Sequence, residues 1–218
     1  LLHDSEGNLW VGTGAGLMRF ADSPFVTLNN YQGLSDNYVR AIVQMPDSSM
    51  MIGTAQGLNH YKNSKFTQVE GSPSLKTDSI LSLAPTRDGS LWVGMYSTGL
   101  VKWKDGVVQE KYDTNNPVFG TQIRALLEDR EGNIWIGSPA GLFQKSGKQI
   151  KKITENEGLP ENYIIRLFQA KSGRIWVGTS NGLGYIDGDK VGAIDLNPYY
   201  GAQTVFGFSE DADGALWV

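Results

Sequence analysis

Apolar and polar positions alternate in short runs along the chain, and the runs recur. Stacked on an aromatic-centred phrase, the sequence reads GNLWVGTGAGL at 7 to 17, SMMIGTAQGL at 49 to 58, GSLWVGMYSTGL at 89 to 100, GNIWIGSPAGL at 132 to 142, GRIWVGTSNGL at 173 to 183 and GALWV at 214 to 218. The anchors Trp10, Met51, Trp92, Trp135, Trp176 and Trp217 stand 41, 41, 43, 41 and 41 residues apart, so 218 residues hold about 5.3 periods. Self-similarity on such a period marks a repeat architecture. Twelve residues before each of the last five anchors is a β-branched aliphatic, Val39, Ile80, Ile123, Ile164 and Val205, and nine before are Ile42, Leu83, Leu126, Leu167 and Phe208.

Each period predicts four short strands. The aliphatic run and the anchor phrase are joined by a polar turn, DSEGN, DSSM, RDGS, DREGN, KSGR or DADGA, whose residues suit a hairpin loop. A glycine after the anchor phrase (Gly16, Gly57, Gly99, Gly141 or Gly182) turns the chain into a third run, and a second turn leads to a fourth, such as FVTL, KFTQV or QIKKI. Four antiparallel strands per repeat of about 41 residues predict an all-β fold, a β-propeller whose small sheets pack face to face around an axis. One blade cannot bury its own faces, so the tryptophans and aliphatics are expected to form the core between blades. Residues 1–218 read as one partial propeller, about five blades of a seven-bladed ring, cut within a first strand at Leu1 and within a second strand at Val218.

Composition narrows the picture. The chain is 40% hydrophobic and 19% charged, with mean hydropathy −0.28, enough apolar material for a core and too much for a disordered chain. Glycine, at 27 residues against 8 prolines, points to many tight turns rather than low complexity. Nineteen Lys and Arg against 23 Asp and Glu leave a net charge of −4 without a block of like charges, which argues against a nucleic-acid partner. The absence of cysteine excludes thiolate nucleophiles, disulfides and thiolate-bound metals. No apolar run approaches the roughly 18 residues of a membrane span, so no direct insertion of this segment is expected.

The phrase D-x-x-G-x-[LI]-W-[VI]-G-T-x-x-G-L, preceded by G-L-x-x-N-x-[VI], closely resembles the two-component regulator propeller repeat, with DREGNIWIGSPAGL at 129 to 142 and LSDNYVRAI at 34 to 42 as its fullest instances. The resemblance covers essentially the whole chain. It implies a ligand-sensing segment from the periplasmic part of an inner-membrane sensor histidine kinase or hybrid two-component system of the Bacteroidetes type. It also implies a saccharide such as an oligosaccharide as ligand, and a homodimer formed through the parent sensor. The second repeat departs from the pattern at Met51, where the tryptophan is lost, and is expected to pack more loosely or to lie at an interface, with methionine as gap-filler.

Candidate chemistry was weighed against turn and scaffold roles. His3 and His60 fall where other repeats carry generic polar residues, so no catalytic residue and no cofactor is expected. The acidic turns at Asp4, Asp129 and Asp211 invite a calcium reading, but the eleventh position beyond the first two is Ala15 or Ala140 rather than glutamate. Turn capping is the better account, and no metal site is expected. GTGAG at 12 to 16 lacks the lysine of a phosphate-binding loop. Binding is expected at the starts of the first strands and at the loops there, where Tyr38, Arg40, Tyr96, Arg124, Tyr163, Arg166, Tyr199 and Tyr200 supply aromatic faces and fork-shaped donors suited to a sugar. The competing account has the arginines paired with neighbouring carboxylates and Asn37 and Asn162 in Asx turns. Arg40 and Arg124 share a register, while Arg166, offset by one, is expected to face the other way. Alternative functions are a lyase or hydrolase of the streptogramin-lyase kind, using loop acids such as Asp78 and Glu161, or a scaffold for protein partners.

Overall fold

The structure, a computed structural model, describes residues 1–20, 26–195 and 203–218. They form two compact units, Leu1–Pro117 and Val118–Val218. The first unit holds three four-stranded antiparallel sheets. Their strands are Leu2–His3, Leu9–Thr13, Gly16–Phe20 and Val26–Leu28; then Val39–Gln44, Met50–Thr54, Gly57–Lys62 and Lys65–Gln68; then Ile80–Pro85, Leu91–Met95, Leu100–Lys104 and Val107–Tyr112. The second unit holds two more, Ala125–Glu128, Ile134–Ser138, Gly141–Ser146 and Gln149–Ile153, then Ile164–Gln169, Ile175–Thr179, Gly182–Asp187 and Lys190–Ile194. A two-stranded piece, Ser209–Glu210 with Leu216–Trp217, follows. In every four-stranded sheet neighbours in sequence are neighbours in space. These are the five blades of β-propeller type that the 41-residue period predicts, numbered here in chain order.

Successive blades are joined by a notch and a knob. The notch is the glycine two residues after the anchor, and the knob is the β-branched residue twelve before the next anchor. A Cβ on Gly12 would stand 2.6 Å from Cγ1 of Val39, one on Gly53 2.6 Å from Cγ2 of Ile80, and one on Gly137 2.5 Å from Cγ2 of Ile164. At Gly178 the added atom would meet the carbonyl oxygen of Val205 at 2.7 Å. Ile80 and Ile164 are fully buried in these joints. The two sequence registers are therefore halves of one contact, in which the missing side chain of one strand makes room for the branched side chain of the next sheet.

Trp10, Trp92 and Trp135 are buried as the repeat predicts, whereas Trp176 is half-buried and Trp217 is 65% exposed. Blade-to-blade core is thus the right description of Trp10 and Trp135, which cluster with residues of the following blade, and the wrong one for Trp217, which belongs to the two-stranded piece. Met51 is also a correction. It is buried, as are Met50, Ile52, Gly53 and Thr54 along the same strand, so the second blade is not loosely packed at its centre.

Three anchors are clamped by an aspartate six residues earlier. Asp129 accepts the backbone N–H groups of Glu131 and Asn133 on Oδ1 and the Asn133 amide and Trp135 indole N–H on Oδ2, at 2.7 to 3.0 Å. Asp4 repeats the arrangement with Glu6, Asn8 and Trp10, and Asp211 with Asp213, Ala215 and Trp217. The turn aspartates cap their own hairpin amides, as expected, and also fix the anchor ring.

The G-L signature before the first strand is explained by a short 3₁₀ turn with a capping box. Asn29 and Thr154 cap Asn30–Gln32 and Glu155–Glu157, and Gly33 and Gly158 close the turns in the left-handed region at φ 103° and 114°. The following Leu34 and Leu159 are buried. In the third blade a short helix, Pro73–Thr77, takes this place, with Leu75 buried instead.

Gly137→Ala is expected to lower the unfolding free energy by about 1–3 kcal/mol through overpacking against Ile164. Gly207→Ala, where nothing lies within 4 Å of the added atom, should leave it nearly unchanged. Urea denaturation of the two variants beside the parent chain tests this.

Candidate functional site

The start of each first strand carries an irregularity that sets the side chains there. In the second blade Val39 pairs with Thr54 and Ala41 with Gly53, leaving Arg40 as an extra residue. The third blade leaves out Leu81 and the fifth Ile165 in the same way. Such a bulge re-aims a side chain and breaks the two-residue alternation. Arg166 and Arg40 are both exposed, and the one-residue offset between their registers spans the bulge. Opposite facing therefore does not follow from it.

Two tyrosine–arginine pairs form at these strand starts, one in each unit. In the first unit the Arg40 guanidinium lies 4.6 Å from the centre of the half-exposed Tyr38 ring. In the second unit Arg124 lies 5.3 Å from the ring of Tyr163, which comes from the next blade. The Tyr163 hydroxyl and an Arg124 guanidinium N–H both donate to the side-chain oxygen of Gln122, each at 3.3 Å. Gln122 itself is held at φ 55°, in the left-handed region that a non-glycine residue adopts at a cost of about 1 kcal/mol or more. Arg124 Nε is buried without a hydrogen-bond partner. Neither Arg40, Arg124 nor Arg166 is ion-paired with a carboxylate among the described residues. The competing account, in which neighbouring acids neutralise these arginines, is not what forms, and Arg40 and Arg124 lie over rings instead.

The asparagines have the structural role that their recurrence suggested. Asn37 Oδ1 accepts the Asn30 N–H at 2.9 Å, and Asn162 Oδ1 accepts the Glu155 N–H at 3.1 Å, each tying the 3₁₀ turn to the strand start. Asp78 does the same work more heavily. Its buried carboxylate accepts the N–H of Ser79, Ser97 and Thr98 and the Thr98 hydroxyl, and so holds the lengthened loop that carries Tyr96. Tyr96 is 46% exposed beside it. Glu161 accepts the Asn162 N–H at 2.7 Å. Tyr199 and Tyr200 lie outside the described residues.

A different feature went unread in the sequence. At the opposite end of the sheets, where first strand turns into second and third into fourth, a cleft of about 280 Å³ separates the second and third blades. Met45, Met51, His60, Trp103, Asp47 and Asp105 contribute to its walls. Met45 stands six residues before Met51, where three other repeats have the clamping aspartate and the remaining two have Thr86 and Ala170, so this blade has neither anchor ring nor clamp. Burial holds the His60 imidazole below its ordinary pKa, against the pull of the Asp47 carboxylate. Hydrogen bonds from Lys62 and Ser49 hold Asp47 well below the usual carboxylate range.

Three segments, residues 74–97, 117–140 and 158–181, match the model of the family described as two component regulator propeller. These segments fall at the third, fourth and fifth repeats. Among solved structures it is similar to the extracellular domain of a hybrid two component system from B. thetaiotaomicron, with 22% identity and a TM-score of 0.86 over 99% of this chain and 30% of that one. The extracellular domain of a one component system from the same organism is 21% identical, with a TM-score of 0.79 over 96% and 31%. Virginiamycin B lyase from Staphylococcus aureus is 12% identical, with a TM-score of 0.75 over 96% and 72%. The chain spans about a third of the length of the two extracellular domains. At these identities the likeness bears on the fold alone. No curated protein matches the chain.

Stability should decline in acid from the aspartates. Thr86 above all, with Lys102 and Ser90, holds Asp88 below its ordinary value of 3.8 against the opposing effect of burial, and Asp47 is depressed likewise. A depressed carboxylate contributes stability that is complete above the unfolded value and is lost as pH falls through the folded one. Urea midpoints should therefore begin to fall below about pH 6.5, where His60 takes up a proton more readily in the unfolded chain, and fall further below about 4 as the aspartates protonate. Asp88→Asn should flatten part of that fall.

Proposed function

We propose that the chain is a ligand-sensing propeller from the extracytoplasmic part of a membrane-bound two component sensor, and that its ligand is a saccharide carrying a carboxylate. The repeat family and the likeness to extracellular domains of such systems support the sensing role and the location. Among the described residues no helix is long and apolar enough to cross a membrane.

One observation carries the ligand class. The Arg124 guanidinium is positioned by a tyrosine face and an amide oxygen and is not neutralised by an acid among the described residues. A planar cation held this way suits a ligand carboxylate, which its fork of donors can meet in a bidentate manner. The Tyr38–Arg40 pair offers the same chemistry in the first unit. Tyr96, exposed beside the Asp78-held loop, and Arg166 belong to the same set of strand-start residues, as do Tyr199 and Tyr200 by sequence register. Sensing rather than catalysis is favoured by the carboxylate of Asp78, whose hydrogen bonds go to its own loop and leave it poorly placed to act as an acid.

Blades locked by notch and knob do not flex easily, so transmission requires a change in how rigid bodies pack. In the parent sensor that body would be a homodimer, with ligand favouring one packing over another.

A thermal-shift screen of neutral and uronic-acid oligosaccharides against the chain tests the reading, because a ligand that binds only the folded state raises the midpoint. The expected result is a rise with uronic-acid oligosaccharides that Arg124→Ala abolishes and Tyr163→Phe reduces. If no sugar moves the midpoint, the chain is better read as a scaffold for protein partners.

A further inference from the structure

Met50 and Met51 are neighbours on one strand and point to opposite faces of the second blade. Met50 packs with Trp10 toward the first blade, and Met51 packs with Leu83 and Val93 toward the third. A cleft stands at each of these joints, about 270 Å³ on the Met50 side and about 280 Å³ on the Met51 side. The spaces are alike, but the donors in them are not. The first is walled largely by carboxylates, amides and hydroxyls, those of Asp4, Asn8 and Ser49 among them, with Met50 as its one thioether. The second brings together two thioethers, Met45 and Met51, and the His60 imidazole.

Strand register explains the grouping. Met51 lies opposite His60 on the third strand and opposite Val43 on the first, so the Met51 and His60 side chains stand side by side on one face. Met45 is two residues beyond Val43, with its N–H on the Ser49 carbonyl at 2.8 Å, and shares that face one diagonal step from Met51. From the third blade the Trp103 ring packs against the same core, fixed by its indole N–H, which donates to the Glu70 carbonyl at 3.0 Å. The His60 imidazole has no hydrogen-bond partner among the described residues. Burial lowers its pKa, so at pH 7 it is neutral and one ring nitrogen has a lone pair to give. Charge does not select the occupant, because Lys62 pairs with Asp47 at 2.6 Å and Lys104 stands with Asp105 in the cleft wall. Donor softness does. Among the described residues no three of His, Asp and Glu gather so as to hold a metal ion, whereas thioether sulfur joined by imidazole is a set that selects Cu(I). A neighbouring indole ring favours a cation as well.

We propose that Met45, Met51 and His60 bind one soft monovalent metal ion, Cu(I) or Ag(I), through two sulfurs and one imidazole nitrogen, with the Trp103 ring as the facing wall. All four residues belong to the first unit. This site lies at the opposite end of the sheets from Arg40 and Tyr38 and does not rest on the carboxylate-binding reading above.

The probe is silver nitrate in chloride-free buffer at pH 7, titrated into the 218-residue chain carrying isotope-labelled methionine methyls. The chain has no cysteine to compete for the ion, and its 5 methionines give 5 methyl signals, assigned by single Met→Leu variants. The signals of Met45 and Met51 should move together and stop at one equivalent, while those of Met18, Met50 and Met95 stay in place. By calorimetry, Met45→Leu, Met51→Leu and His60→Ala should each weaken binding by about tenfold or more, and Met50→Leu and Arg124→Ala should leave it unchanged. Leu for Met nearly conserves volume and keeps the core filled. If Met51→Leu nevertheless loses the parent circular dichroism, Met45→Leu and His60→Ala, at partly exposed positions, decide the matter. Absence of saturation at one equivalent overturns the proposal. So does movement of all the methionine signals alike, or binding that is indifferent to His60→Ala or to Met45→Leu. Zinc acetate that moves the Met45 and Met51 signals at the same concentrations as silver overturns the assignment of a soft monovalent ion.

Discussion

The fit of a β-branched side chain into the space above a glycine is the contact on which the rest of this structure depends. It fixes where one blade meets the next, because an added methyl on Gly12, Gly53 or Gly137 would come within 2.6 Å of a neighbouring side chain. Close approach brings the flat faces of the sheets together and buries Ile52, Val93, Ile136 and Val177 behind them. Hydrophobic burial supplies the driving force, but it is non-directional. The glycine supplies the direction, since only one spacing and one tilt of the sheets place the knob over the notch.

Most of the architecture was legible because it is written several times over. A period repeated through six anchors averages out local ambiguity, and the strands, the hairpin turns and the burial of Trp10, Trp92 and Trp135 follow from it. What escaped was contact between positions that a periodic reading keeps in separate registers. The link between Gly137 and Ile164 crosses from one repeat to the next. The clamp from Asp129 to Trp135 was visible as the D and W of one phrase, yet the aspartate was assigned to the turn alone.

The strand-start residues illustrate the opposite difficulty. Recurrence correctly assigned Asn37 and Asn162 to structural hydrogen bonds, since every blade has the same turn to hold. For the arginines the competing account, pairing with neighbouring carboxylates, is not what forms among the described residues. Tyr163 meets Arg124 across a blade joint, whereas Tyr38 meets Arg40 two residues along the same strand. Similar residue pairs thus arise by different routes, and only coordinates distinguish them. Alternation along the strand was no guide to Arg166 either, because the extra residue lies between the positions being compared.

That extra residue has an evolutionary meaning. Arg40, Leu81 and Ile165 sit outside the hydrogen-bonded register of their strands, and Arg124 occupies the same place in the fourth blade's sequence. Side chains at these sites can be exchanged between charged, aliphatic and aromatic types without shifting any ladder or opening any joint. Three of the blades therefore carry a first-strand position that lies outside the ladder. A repeat protein that keeps such a position in every copy can acquire new specificity by point substitution while its scaffold stays as it is.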